Sequence, residues 1–304
     1  MEEITLTKES IGLDRVSPSS LDCYESCPRL FYYQNWLGLK IDQDKMHMDF
    51  GTAIHNAMEE MFLKYDNHFG GAWEGAEFDD VEKTFTKSWK INHIPEASFQ
   101  KFLTTRAGKE SGFTKREELY EYMKEDGLIM LKSYWDNKEL FLIDHGYDLR
   151  EFEVPLRVEM HNPKDPEDKL PIPLSGRIDA ISEGRKKMVD FKTSKSKYDE
   201  IETRKKIQGI SYVFGMLMLT GEFIPEFDYI ILRKDLKSPD RIEVVKLVYD
   251  KADMVAFYYR VKAILTKIAM REFDRPSLGH PRYCQCYTYD EVLSVKDIEL
   301  LKTN

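Results

Sequence analysis

The sequence predicts an α/β fold, a mixed sheet flanked by helices, and three patterns predict it. Between 147 and 160 the apolar residues Phe152, Val154, Leu156 and Val158 alternate with mostly charged neighbours, the period of a half-buried strand. Four further apolar runs, at 172–181, 187–191, 227–233 and 243–248, have strand length. Helical spacing separates and follows them at 201–219 and 251–271, and strands framed by helices pack as a mixed sheet.

From the N-terminus, Ser17 suits an N-cap and Pro18 a first turn. The helix they open carries Leu21, Tyr24, Cys27 and Phe31 on one face. A second helix is expected over 50–65, where Ile54, Met58, Met61 and Tyr65 recur at helical spacing. The pattern stays helical over 79–144, with loops at 92–96 and 107–112. Segment 79–146 is therefore expected as a helical insertion beside the sheet. The stretch 162–166 is turn-rich. Residues 273–304 form a C-terminal tail expected to pack near the N-terminal helix, and the chain, 1–304, reads as a single domain.

Composition narrows the function classes. The 304 residues are 42% hydrophobic and 33% charged, as in ordinary globular proteins. No apolar run is long enough to cross a bilayer and the acidic N-terminus lacks a signal-peptide pattern, so a cytoplasmic protein with no membrane partner is expected. A net charge of −9 argues against broad nucleic-acid binding. Cations nevertheless crowd 185–206, including Arg185, Lys192, Lys195, Arg204 and Lys206. That strip reads either as a phosphate-holding patch or as a solvated loop.

The chemistry concentrates in Gly176-Arg177-Ile178-Asp179 and Asp190-Phe191-Lys192. Two aspartates end what read as adjacent strands, and residues i and i+2 share a strand face, so Asp190 and Lys192 point into one site. Paired carboxylates bind a hard divalent cation, and a neighbouring ammonium can steady a charged phosphate transition state. An acid two residues before a lysine recurs at Asp136, Glu167 and Asp235, so the spacing alone is cheap; the apolar run around Asp190 sets that copy apart. His55, in Gly51-Thr52-Ala53-Ile54-His55, offers an imidazole ligand. Gln208 and Tyr212 share a helix face and can both donate hydrogen bonds. Each of these has an ordinary structural reading when taken singly.

In order, Ser19-Ser20 with Cys27-Pro28 and Phe31, then Gly51-Thr52 with His55, Gly176 with Asp179, Asp190 with Lys192, and Gln208 with Tyr212 resemble the RecB-type nucleases of the PD-(D/E)XK superfamily. That group includes CRISPR-associated and phage exonucleases. The resemblance runs from Ser17 to Tyr212 and implies a restriction-endonuclease-like core. It further implies Mg²⁺ or Mn²⁺ on His55, Asp179, Asp190 and the Phe191 backbone carbonyl, with Lys192 catalytic and Gln208 and Tyr212 lining the site. Glu153 is an outer candidate on the upstream strand.

Cys23, Cys27, Cys284 and Cys286 are the cysteines, paired near the two chain ends. In a reducing compartment they read as free thiols or a metal site rather than a disulfide scaffold. Relatives with Cys-Pro-x-x-Phe can hold a [4Fe–4S] cluster, for which Cys27 fits the first position. The tail departs from that pattern, with two cysteines where three are expected. Cys23 is a candidate fourth ligand, His280 another if the ion is Zn²⁺, and plain buried thiols the alternative.

The resemblance implies a metal-dependent DNA nuclease, an exonuclease on single-stranded or end-bearing DNA in recombination, repair or CRISPR and phage DNA processing. Its protein partners would belong to such complexes. The competing reading is a non-catalytic DNA-end-binding subunit retaining the fold, and a third is an RNA-directed nuclease.

Overall fold

The first half of the chain is helical and the second half carries the sheet. This computed structural model describes residues 5–40, 45–66, 77–138, 147–234, 241–276 and 284–292. Helices α1 (Lys8–Ile11), α2 (Pro18–Ser26) and α3 (Pro28–Phe31) lead into a π-turn at Tyr32–Trp36. Then come α4 (Met46–Asp66), α5 (Phe78–Ser88), α6 (Glu96–Thr104), α7 (Arg106–Ser111) and α8 (Arg116–Asp136). Strands β1 (Leu149–Val158), β2 (His161–Asn162), β3 (Asp165–Lys169), β4 (Leu174–Ser182) and β5 (Lys187–Ser194) follow. Helices α9 (Glu200–Lys205) and α10 (Ile207–Thr220) connect to β6 (Glu226–Arg233) and β7 (Ile242–Val248). The chain continues through α11 (Lys251–Ala269) to α12 (Cys286–Val292).

The main sheet has the order β1-β4-β5-β6-β7, and its strands pair antiparallel except for parallel β5 and β6. A parallel pair needs a crossover, which α9 and α10 provide. Alternation splits the sheet between two cores. Met188, Phe227, Tyr229 and Ile231 enter a core with α2, α10 and α11. Val189, Phe191, Ile230 and Leu232 enter the other, built with α4, α5 and α8. Phe214, Phe227, Phe50, Phe85 and Trp89 are all but inaccessible, and a fully buried side chain of this class stabilises by about 1.5–3 kcal/mol. The mixed sheet flanked by helices is therefore the architecture expected.

Several boundaries differ from expectation for physical reasons. The first helix breaks at Cys27, whose extended backbone (φ −160°, ψ 99°) suits a residue before proline. Cys27 ends α2 and caps α3, its Sγ accepting from the Leu30 N–H at 3.4 Å. The helix expected at 201–219 is two, turning at extended Lys206 (ψ 141°). A polar, exposed α9 cannot continue on the axis of α10, which is buried through Ile207, Ile210, Val213, Phe214 and Met216. Arg106–Ser111 is helical rather than a loop, capped by Thr105 and ended by left-handed Gly112. The turn-rich 162–166 stretch belongs to the β2–β3 hairpin. Residues 139–146 of the expected insertion lie outside the described residues. No helix among the described residues is long and apolar enough to cross a membrane.

Candidate active site

The site sits at a fork in the sheet. Strands β4 and β5 pair at Ile181↔Met188 and Ala180↔Val189. The next level would set Asp179 against Asp190, where two acidic side chains meet and the strands part. The Phe191 N–H, turned from a ladder partner, donates instead to Asp179 Oδ2 at 2.9 Å. The opening lets side chains from both faces of the sheet converge.

Three donors meet there: ligand atoms of His55, Glu153 and Asp179 all lie within 4.8 Å of one another. His55 comes from α4, with Nδ1 3.5 Å from Asp179 Oδ2. Burial holds its pKa below the ordinary histidine value, so the ring stays neutral and able to ligate. Glu153 comes from β1, where Phe152↔Ala180 and Val154↔Ile178 set it level with Asp179. Its backbone is left-handed (φ 50°), a conformation that side-chain-bearing residues rarely adopt, and Arg177 donates to its Oε2 at 2.8 Å. Burial, then the nearby Asp190 charge, pushes the Asp179 carboxyl up to about 8. Two carboxylates and a neutral imidazole match the hard divalent ions, and a carboxyl so reluctant to ionise gains from a cation beside it. The donor set fits Mg²⁺ or Mn²⁺.

Asp190 stands beside this trio with both oxygens engaged. Lys192 Nζ lies 2.6 Å from Oδ2, and Gln208 Nε2 donates to Oδ1 at 2.7 Å. Burial alone would lower the Lys192 pKa, but Asp190 and Asp179 outweigh it and hold it above the ordinary lysine value. Lys192 thus remains an ammonium. Tyr212, one turn after Gln208, is buried, and its phenol is pushed up to about 12 by burial and then by Asp190, so it stays a hydrogen-bond donor. Gly176 makes room for it: a Cβ there would lie 3.0 Å from Tyr212 Cε1 and 3.4 Å from Pro18 Cδ.

Lys192, Gln208 and Tyr212 face a groove of about 1080 Å³ walled by the N-terminal segment, including Arg15, Ser19 and Trp36. Arg177 and Lys206 add positive charge to its lining. Much of the basic strip is balanced locally: Arg185 pairs with Glu151, Lys187 with Glu226, Arg204 with Asp253 and Lys205 with Glu202.

A second constellation joins the chain ends. The sulfurs of Cys27, Cys284 and Cys286 lie within 4.8 Å of one another. Tyr33 stacks on Tyr289 (5.0 Å, 12°), Tyr289 Oη donates to the Leu39 carbonyl, and Arg29 and Tyr33 both reach Asp290. Cys23 falls outside the trio, though its thiol, pushed up to about 12 by burial, also feels Cys284. Burial pushes Cys27 up to about 12 as well. Three clustered sulfurs, with burial raising the Cys27 and Cys286 pKa values, fit a thiophilic ion or iron–sulfur cluster, whose charge would favour thiolates. His280 lies outside the described residues.

The geometry thus brings together His55, Asp179, Asp190, Phe191, Lys192, Gln208 and Tyr212. It advances Glu153 from the margin into the donor trio and adds Arg177 as its anchor. The resemblance placed Glu153 on the upstream strand, and the observed register, Phe152↔Ala180 and Val154↔Ile178, sets it across from Asp179. Nothing in the spacing marked Arg15 or Trp36 as groove walls, because their placement depends on the chain's path across the sheet.

The profile of the PD-(D/E)XK nuclease superfamily matches residues 15–288. Among solved structures, a candidate exonuclease from Eubacterium rectale aligns over 96% of both chains, with a TM-score of 0.51 and 12% identity. An alkaline exonuclease from Laribacter hongkongensis aligns over 45% of this chain and 64% of its own, with a TM-score of 0.26 and 17% identity. At 12% identity the first likeness is one of fold alone, and the second is too partial to add to it.

Proposed function

The chain belongs to the PD-(D/E)XK nuclease superfamily, and from that premise we propose that it is a divalent-metal-dependent deoxyribonuclease, an exonuclease acting on single-stranded or end-bearing DNA. One observation carries the reading: the His55, Glu153 and Asp179 donors converge beside the Asp190–Lys192 pair, and Lys192 lines the groove. A structural remnant of the fold has no need to bury a charged pair next to a carboxyl that resists ionisation.

His55, Glu153 and Asp179 would hold Mg²⁺ or Mn²⁺, with Asp190 and the Phe191 carbonyl as further ligands. An ion bound there would supply Lewis acidity, the chemistry that lowers the pKa of a water and offsets charge on a phosphate. Lys192 presents its ammonium to the attacking water and the phosphate oxygens. Gln208 keeps Asp190 in place by holding its second oxygen, and Tyr212 donates toward the strand. Arg177 fixes Glu153, and half-buried His55 stays unprotonated. The Cys27, Cys284 and Cys286 trio, with Cys23 as candidate fourth ligand, would take a [4Fe–4S] cluster or Zn²⁺. The chain works as a single nuclease domain in which 79–146 is a helical insertion and 273–304 a tail fastened to the N-terminal helices, in DNA processing with recombination, repair or CRISPR-type partners.

The test is incubation of labelled linear, circular and single-stranded DNA with Mg²⁺ or Mn²⁺. Digestion restricted to molecules with ends is expected. Equal digestion of closed circles would reject the exonuclease assignment, and inertness toward all DNA would reject the nuclease. Iron, acid-labile sulfide and zinc assays on anaerobically purified protein test the thiol site, which a folded protein free of all three would refute.

A further inference from the structure

Among the described residues, the cations lining the groove are Arg15, Arg177, Lys192 and Lys206. Arg177 is paired with Glu153 and Lys192 with Asp190, whereas neither Arg15 nor Lys206 forms an ion pair among the described residues. Of the acids in the lining, Asp14 is paired with Lys8, and Asp22 senses the Lys206 charge without coming within ion-pair distance. What holds Lys206 is a ring: its Nζ lies 4.1 Å from the Tyr198 ring centroid. An aromatic face restrains an ammonium without cancelling its charge, as a carboxylate would. Helix stability does not account for the residue. Exposed Lys206 is the N-cap of α10, where it makes no side-chain cap hydrogen bond and the helix dipole disfavours a cation.

Tyr198 ties that ammonium to the Asp190–Lys192 pair. Its backbone N–H donates to Glu243 Oε1 at 3.2 Å, and its ring meets the Tyr229 ring edge-on at 6.1 Å. Tyr229 is the register partner of Asp190 on the neighbouring strand. The Tyr198 phenol, its pKa raised by burial, also feels the Lys192 and Asp190 charges. One ring thus touches the Lys206 ammonium and stands within electrostatic reach of Lys192. Two ammonium groups on one groove, separated by a side chain, suit successive phosphates of one strand, and phosphate contacts are what fix the register of a nucleic acid.

We propose that Lys206, held on the Tyr198 ring, takes the phosphate next to the one at Lys192 and so sets the register of a DNA strand in the groove. This deepens the nuclease reading of the groove and rests on it. Lys192 acts at the bond to be cut, and Lys206 decides which bond that is.

Binding of the full chain to short single-stranded oligonucleotides in Ca²⁺ tests it, each strand carrying a neutral methylphosphonate at a different linkage. Lys206→Ala should weaken binding of the unmodified strand about fivefold, the upper range for one exposed ion pair, and make the salt slope shallower by about 0.7. Neutralising one particular linkage should cost the native chain that same factor and cost the Lys206→Ala chain nothing. Lys192→Ala, read in the same way, marks the linkage at the catalytic pair, and the two linkages are expected to be neighbours. Tyr198→Phe keeps the ring and should bind as the native chain does, whereas Tyr198→Leu should lose most of the Lys206 contribution. Native affinity in Lys206→Ala or Tyr198→Leu would overturn the proposal, as would any other pairing of linkages or a loss spread evenly over all of them. Neighbouring linkages without cleavage in Mn²⁺ would support the phosphate site and reject the hydrolytic reading alone.

Discussion

Glu153 carries more of the candidate chemistry than its place in the sequence announces. Alternation and motif order exposed Asp179, Asp190 and Lys192, since a strand's period states which residues share a face. A left-handed backbone at a glutamate has no such signature, and neither does the Arg177 contact that fixes it. Glu153→Gln is accordingly expected to weaken Mn²⁺ binding at least about tenfold by calorimetry while the far-ultraviolet circular dichroism stays native. Lys192→Ala should lower kcat about a hundredfold or more on linear DNA, with little change in KM. Asp179 adds a pH dependence. Its folded pKa, about 8, lies above the ordinary 3.8, so the stability it contributes is full below the ordinary value and lost as pH rises through about 8. A cation competes with that proton, so the Mn²⁺-induced rise in Tm should be small at pH 6 and larger at pH 9. A rise independent of pH would remove Asp179 from the ion site.

Element by element, strand positions were legible and helix interruptions were not. Strand runs are short, bounded by turns and marked by β-branched residues, whereas periodicity carries straight through a bend. At Cys27 a proline gave a local cue, outweighed by the regular spacing of Leu21, Tyr24 and Phe31. At Lys206 the break reflects a change in burial that only tertiary packing creates. Close helix packing was equally hidden. Gly127 on α8 sits so near the Phe85 ring of α5 that a Cβ would lie 2.4 Å from Cζ. Gly127→Ala should therefore destabilise the chain in urea denaturation: overpacking costs about 1–3 kcal/mol, only partly offset by the roughly 1 kcal/mol that alanine gains in a helix. Gly112→Ala, with open space around it, should show only the strain of its positive φ.

For the molecule as a whole, the net charge of −9 suggested weak affinity for DNA, and the arrangement of ion pairs refines that expectation. Five of the nine cations of the 185–206 strip, namely Arg185, Lys187, Lys192, Arg204 and Lys205, answer carboxylates of the same chain, leaving four to neutralise phosphates. The slope of log K against log salt for a single strand should thus be about −3 or shallower, at roughly −0.7 per phosphate contact. A much steeper slope would mean that the paired cations exchange partners on binding. Composition reports only the total, and ion pairing decides how much of it a ligand can feel.

The brief α3 and π-turn segment ties two distant parts of the molecule into one piece of hardware. Cys27 at its start belongs to the sulfur trio, while Trp36 at its end walls the groove, pinned by its indole N–H to the Ile11 carbonyl at 3.1 Å and covered by Arg271. Whatever loosens the sulfurs therefore tilts a wall of the channel that a nucleotide chain would thread. Oxidant dose should register first as slackened grip on the polymer, well before the fold itself gives way.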